Sequence, residues 1–259
     1  MPYPKDILAS RAVVRPGVFA LIPPQGRVHN VIPGFDGCRL TILCSPKIGA
    51  GFVQIIGQAE PGCSLGRPYG LDDTEEHFLY VLDWPGRLTV TIDDETQELA
   101  AGGYAYAPAG AGLSFRNTSR SAVRFLLYKQ KYLPHPDPGR KPWVVFGDLA
   151  DLPETEYTGM KNVFIKDLLP VDEAFDMNMH ILSFLPGGSH EFVETHVQEH
   201  GAYIYEGEGL YLLDDEWIPV KKEDFIWMGA FCKQACYALG RERLSYIYSK
   251  DCHRDVPLD

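Results

Sequence analysis

Basic side chains are in short supply: 24 Lys and Arg stand against 35 Asp and Glu, for a formal net charge of −11. Phosphate backbones and anionic bilayers are held by clustered Lys and Arg, so neither nucleic acid nor membrane is expected as a partner. Long apolar runs are also missing, and nothing approaches the ~18 residues of a membrane span. The opening Met1-Pro-Tyr-Pro-Lys-Asp6 has neither the charged n-region nor the apolar h-region of a secretory leader. Six cysteines are scattered through 259 residues without a CxxC, far from a disulfide scaffold. Free thiols and a cytoplasmic location are the expectation.

Helix signals are equally scarce. Gly (25) and Pro (20) punctuate short runs rich in Val, Ile, Tyr, Phe and Leu, which is how an all-β protein reads. The apolar share of 45% leaves ample material for a core. Strands are expected at 51–58, 78–82, 87–93, 104–108 and 123–131, and again at 177–185, 202–206, 209–214, 224–228 and 244–249. Helical turns are expected only in 167–175 and the first dozen residues.

Between the two series, Leu133-Pro-His-Pro-Asp-Pro-Gly-Arg-Lys-Pro142 packs four prolines into ten residues and excludes a central strand or helix. The series repeat at an offset of 121: Gly102 falls on Glu223, Pro108 on Gly229, Leu113 on Gln234 and Lys129 on Lys250. Two tandem β domains are therefore expected, 1–133 and 143–259, joined by a linker at 134–142.

Chemistry concentrates in the second domain, between Gly188 and Gly207. Glu194 and His196 are two apart and would share one face of a strand, and His200 keeps the same parity. One carboxylate and two imidazoles converging in a barrel make a candidate divalent-metal site. Two solvent-facing histidines on an acidic strand are the plainer alternative.

The segment resembles the first cupin motif, G-x5-H-x-H-x3-E-x6-G, with Gly188 and Gly207 in register and the ligand types exchanged. Glu194 stands at the first His, His196 keeps the second, and His200 stands at the Glu. The second motif, G-x5-P-x-G-x2-H-x3-N, maps onto Glu223–Ala238 and puts Gln234 at its His. In the first half, Gly102, Pro108, Gly110 and Asn117 keep that motif, but Leu113 occupies the ligand position. Glu76 reads as the Glu there, with the preceding His positions on Gly70 and Asp72, and His77 reads as a packing or surface residue. The resemblance implies an all-β bicupin of two jelly-roll (double-stranded β-helix) barrels, the first one structural.

A bicupin with Glu, His, His and Gln in its second barrel resembles the (S)-ureidoglycine aminohydrolase family of allantoin catabolism. Leu8–Val14, Phe175–Phe184, Glu194–Tyr203 and Tyr246–Asp251 carry the resemblance. It implies Mn(II) held by Glu194, His196, His200 and Gln234, release of ammonia from (S)-ureidoglycine, and a homo-oligomer. It also implies substrate contacts from Glu194, Gln234, Tyr211, Tyr246 and Lys250, with Tyr246 and Lys250 catalytic and Lys250 taking the substrate carboxylate. Two other readings remain at this point: a dioxygenase or decarboxylase of small acids, which would favour three His and a Glu, and a non-catalytic ligand-binding cupin.

Overall fold

The computed structural model describes residues 10–82, 85–251 and 254–256. Among them the helices are three single 3-10 turns, Pro24–Gly26, Pro46–Ile48 and Leu149–Asp151. The helical turn expected at 167–175 closes as one hydrogen-bonded turn. Phe175 N–H donates to the Asp172 carbonyl at 3.1 Å, and the Asp172 carboxylate accepts from Ala174 N–H at 2.8 Å. The other expected turn falls largely on residues 1–9, outside the described residues.

All ten expected strands are present. One starts earlier than its apolar text: Glu75–Val81 opens with Glu-Glu-His, yet Glu76 and His77 are buried. Sequence reasoning passed over further strands, among them Phe19–Ile22, Cys38–Cys44, Val145–Asp148 and Gln234–Leu239.

Each half folds as a large sheet facing a three-stranded one. In the first half Phe52–Ala59, Val123–Lys131, Glu75–Val81 and Gly103–Ala107 lie side by side. In the second, Met177–Phe184, Leu244–Asp251, His200–Glu206 and Phe225–Met228 repeat that order. The outer strands are exchanged between halves. Phe19–Ile22 pairs antiparallel with Phe225–Met228, and Val145–Asp148 pairs antiparallel with Gly103–Ala107. The limits 133 and 143 thus divide the chain by its repeat, while the sheets trade a strand across them in each direction.

Three cores result. Leu79, Val90, Phe125 and Leu127 fill the first barrel, and Phe184, Ile204, Tyr211 and Tyr246 line the second. Between the barrels, Phe52, Tyr128, Met179, Trp227 and Ile247 form a third. Strand alternation explains the arrangement: in Val123–Lys131, Phe125 and Leu127 point into their barrel, while Leu126 and Tyr128 point at the other half. Strands buried on both faces read as continuous apolar runs.

Candidate metal and substrate pocket

Two isolated bridges tie the motif loop to the strand opposite, Ser189 with Tyr237 and Glu194 with Gln234. In the second, Glu194 N–H donates to the Gln234 carbonyl at 2.8 Å and Gln234 N–H returns to Glu194 at 2.9 Å. His196 follows in irregular backbone, and His200 opens the strand His200–Glu206. Strand parity therefore does not bring these residues together, contrary to the sequence argument; bridge pairing and ring anchoring do.

The ring anchors are backbone carbonyls. His196 Nδ1 lies 3.0 Å from the Gln198 oxygen and His200 Nδ1 2.9 Å from the Ser249 oxygen. A carbonyl only accepts, so each Nδ1 carries the hydrogen and each Nε2 is left as a bare acceptor. Burial pushes the His200 imidazolium down to about 3 and lowers His196, so both rings are neutral at pH 7. The two Nε2 atoms face each other at 3.3 Å, and the Gln234 amide nitrogen is 2.8 Å from that of His196.

A cation between them would satisfy two acceptor nitrogens that face each other at this separation. Nitrogens bound at ~2.1 Å and at a right angle stand about 3 Å apart, so the spacing fits adjacent positions on one ion. Among the described residues, no three His, Cys, Asp or Glu side chains close a ligand cluster by themselves. The set needs the amide of Gln234, a half-turn of which presents its oxygen, together with the half-buried carboxylate of Glu194 from the same pocket wall. Burial raises the Glu194 pKa, and the nearby Lys250 charge works against that rise.

All seven residues singled out in the sequence line this one pocket: Glu194, His196, His200, Gln234, Tyr211, Tyr246 and Lys250. Tyr211 and Tyr246 are buried with their hydroxyl oxygens 3.3 Å apart, and burial keeps both phenols well above their ordinary pKa. The pocket also holds His190, Tyr157 and Tyr248, which sequence reasoning left out. His190 Nδ1 accepts from Cys236 N–H at 3.0 Å, and burial lowers its pKa to about 4. His180 stands outside the pocket, its Nδ1 2.8 Å from Asp167 Oδ1.

The first barrel repeats the two bridges as Ser64 with Arg116 and Tyr69 with Leu113. That pairing sets Tyr69 against Glu194, one residue before Gly70, while the strand registers set His77 against His200, one residue after Glu76: His77 faces Ala107 as His200 faces Met228, 121 residues on. The motif slipped because Tyr69 and His77 stand eight residues apart where Glu194 and His200 stand six apart. Lys129, the counterpart of Lys250, is 3.3 Å from Glu75 and lies over the Tyr69 ring at 5.8 Å. His77 is a packing residue, its ring 4.8 Å from that of Tyr69.

The cupin-domain family model matches residues 59–128, inside the barrel without the ligand set. Across the whole chain, (S)-ureidoglycine aminohydrolase from Escherichia coli is 48% identical over 99% of this chain and 97% of its own length. The chain belongs to the (S)-ureidoglycine aminohydrolase family. Arabidopsis thaliana (S)-ureidoglycine aminohydrolase is 30% identical over 91% of this chain and 76% of its own. The crystal structure of the E. coli protein Ylba superposes with a TM-score of 0.86 at 45% identity, covering 99% of this chain and all of that one. Family membership and the two-barrel architecture agree in describing a bicupin.

Proposed function

We propose that this chain hydrolyses (S)-ureidoglycine to (S)-ureidoglycolate and ammonia, with one Mn(II) held by Glu194, His196, His200 and Gln234. The observation that carries the reading is near-complete coverage by an (S)-ureidoglycine aminohydrolase at 48% identity, joined to a single pocket lined by the residues this chemistry needs. Oxygen and nitrogen donors without thiolate favour a hard or borderline ion such as Mn(II). When bound, the ion supplies positive charge that polarises the substrate and acidifies water.

In the overall reaction a C–N bond breaks, a C–O bond to the water oxygen forms, and a proton from water leaves with the amine. The substrate is a small anion, and Lys250 is the pocket's ammonium for its carboxylate. Tyr211 and Tyr246 remain protonated, so one hydroxyl donates to the other and the remaining O–H is free for a substrate oxygen. Free volume in the pocket is about 20 Å³, room for an ion or one water. The bulk of the substrate therefore lies toward the half-exposed side, where Glu194, His196 and Lys250 are.

The reading extends to a cytoplasmic homo-oligomer that binds neither nucleic acid nor membrane. The acidic charge and the free described cysteines support the location and the partners, and the homo-oligomer rests on the family resemblance alone.

The test is metal analysis of the purified protein with ammonia release measured on ureidoglycine formed in situ from allantoate. About one metal per chain and metal-dependent ammonia release are expected. Metal-loaded protein that releases ammonia no faster than the spontaneous decay overturns the reading.

A further inference from the structure

The residues on either side of His200 face the first half, while its own ring turns into the pocket of the second. Glu199, half-buried just before it, accepts Gly51 N–H at 2.7 Å on Oε1 and Trp227 Nε1–H at 2.8 Å on Oε2. Gly201, just after it, lies against Gln54 and Phe52: a Cβ there would come within 2.5 Å of the Gln54 amide oxygen and 2.7 Å of the Phe52 ring. Gly51, Phe52 and Gln54 all belong to the first half.

Both donors to Glu199 are themselves fixed. Gly51 comes this close because it has no side chain, and a Cβ there would collide with Glu199 Oε1. Trp227 is 1% exposed and pairs with Gly201 across the sheet. A Cβ at Gly49 or Gly229 would stand 3.3 or 3.2 Å from the far edge of its ring. The indole therefore has one place, and its N–H one direction. A carboxylate that takes a donor on each oxygen is locked in orientation, and hydrogen bonds to a carboxylate are roughly twice as strong as those between neutral groups. Glu199 thus ties the backbone at His200 to a first-half amide and to the adjacent strand at once, separately from the ring's own bond to the Ser249 carbonyl.

We propose that Glu199 is a positioning residue for the ligand His200, and that the first barrel acts on the metal site of the second through the Gly51 amide that holds Glu199. The inference rests on the metal reading of the site above. A ligand set works only while its side chains stay within about 0.5 Å of the productive arrangement. Outer groups that keep them there are typically worth 10- to 100-fold in metal affinity or activity. Residue 199 is one peptide unit from His200, so a shift of its backbone carries the imidazole along and takes the bare Nε2 out of its 3.3 Å register with His196. The barrel without the ligand set thereby has a part in holding the metal.

Glu199→Gln keeps the size and one acceptor oxygen but sets an amide NH2 against one of the two donors. Gly51→Ala changes the first barrel alone: the new methyl pushes the end of the Glu199 side chain aside, and neither residue lines the pocket. Glu223→Gln is the control, because it breaks another carboxylate contact between the halves, to Arg124 at 2.5 Å, beside Ile204 instead of His200. Mn(II) titration of the metal-stripped protein should show about 10-fold or greater weakening in Glu199→Gln and Gly51→Ala and little change in Glu223→Gln. A second readout needs no metal: in metal-free protein the His200 Nδ1–H signal in nitrogen-edited NMR should be sharp in the parent and the control and exchange-broadened in the other two variants. Mn(II) affinity and a His200 signal unchanged in both variants overturn the proposal, whatever Tm does, since Glu199 then only joins the halves. A parent chain that binds no Mn(II) refutes the metal reading instead, and the His200 signal alone then decides whether Glu199 positions the ring.

Discussion

At the scale of single residues, the two lysines at equivalent strand ends have opposite assignments. Lys129 is paired with Glu75 and lies over Tyr69, the residue that stands where the second barrel has Glu194. Lys250 faces a pocket whose substrate is an anion. Lys250→Met is expected to leave metal content unchanged and lower kcat/KM by roughly 30-fold to several thousand-fold, since a lost buried charge partner is worth about 2–5 kcal/mol. Lys129→Met should barely move turnover while lowering Tm, because it strands the half-buried Glu75 carboxylate. Steady-state kinetics beside metal analysis check both, and equal small effects on kcat/KM would place the carboxylate elsewhere. Gln234→Ala and His196→Ala should each release the metal and abolish turnover with far-UV circular dichroism intact. Neither side chain helps close the barrel; full turnover with bound metal in both variants would rule out the ligand set.

Individual strands show a dependence that domain boundaries hide. Phe19–Ile22 completes the sheet that carries His200, and Leu21 is fully buried in that barrel's core. Leu21→Ala removes methyl groups from a packed interior, at a cost of about 2–5 kcal/mol. A fragment of residues 143–259 lacks the strand altogether, opens the edge of Phe225–Met228 and uncovers the core shared with the first half. Such a fragment is expected to be insoluble or loosely packed by near-UV circular dichroism. The full chain should unfold in one cooperative calorimetric transition. A soluble, metal-binding 143–259 fragment would contradict this.

For the whole molecule, buried imidazoles set the acid limb of stability. Burial lowers His77 and His190 to about 4, against ~6.5 in an unfolded chain. Their depressed native values mean that between about pH 6.5 and 4 the unfolded state binds protons that the folded state refuses. Stability therefore falls as pH falls through that window, by up to ~3 kcal/mol for each ring. Glu76 and Asp176, raised chiefly by burial, act with the opposite sign, because the folded state keeps their protons to higher pH than the unfolded chain does. The informative quantity is accordingly a difference between two proteins. His77→Gln should flatten the acid limb of denaturant-derived stability relative to the parent, and parallel limbs would show that His77 is not the group titrating.

The residue text was enough to declare an all-β chain, its twofold repeat and the second half as the seat of the candidate site residues. Those properties follow from local patterning: period-two alternation, Gly and Pro punctuation, and Glu194, His196, His200 and Gln234 at motif spacing. Strand partners are another matter, because alternation says which face a residue takes and nothing about which strand lies alongside. The exchange of Phe19–Ile22 and Val145–Asp148 between halves, and the register that puts Tyr69 and His77 at the positions of Glu194 and His200, arise from pairings far apart in sequence. Burial likewise comes from the tertiary structure: Glu76, His77 and His190 are polar letters that packing removed from water.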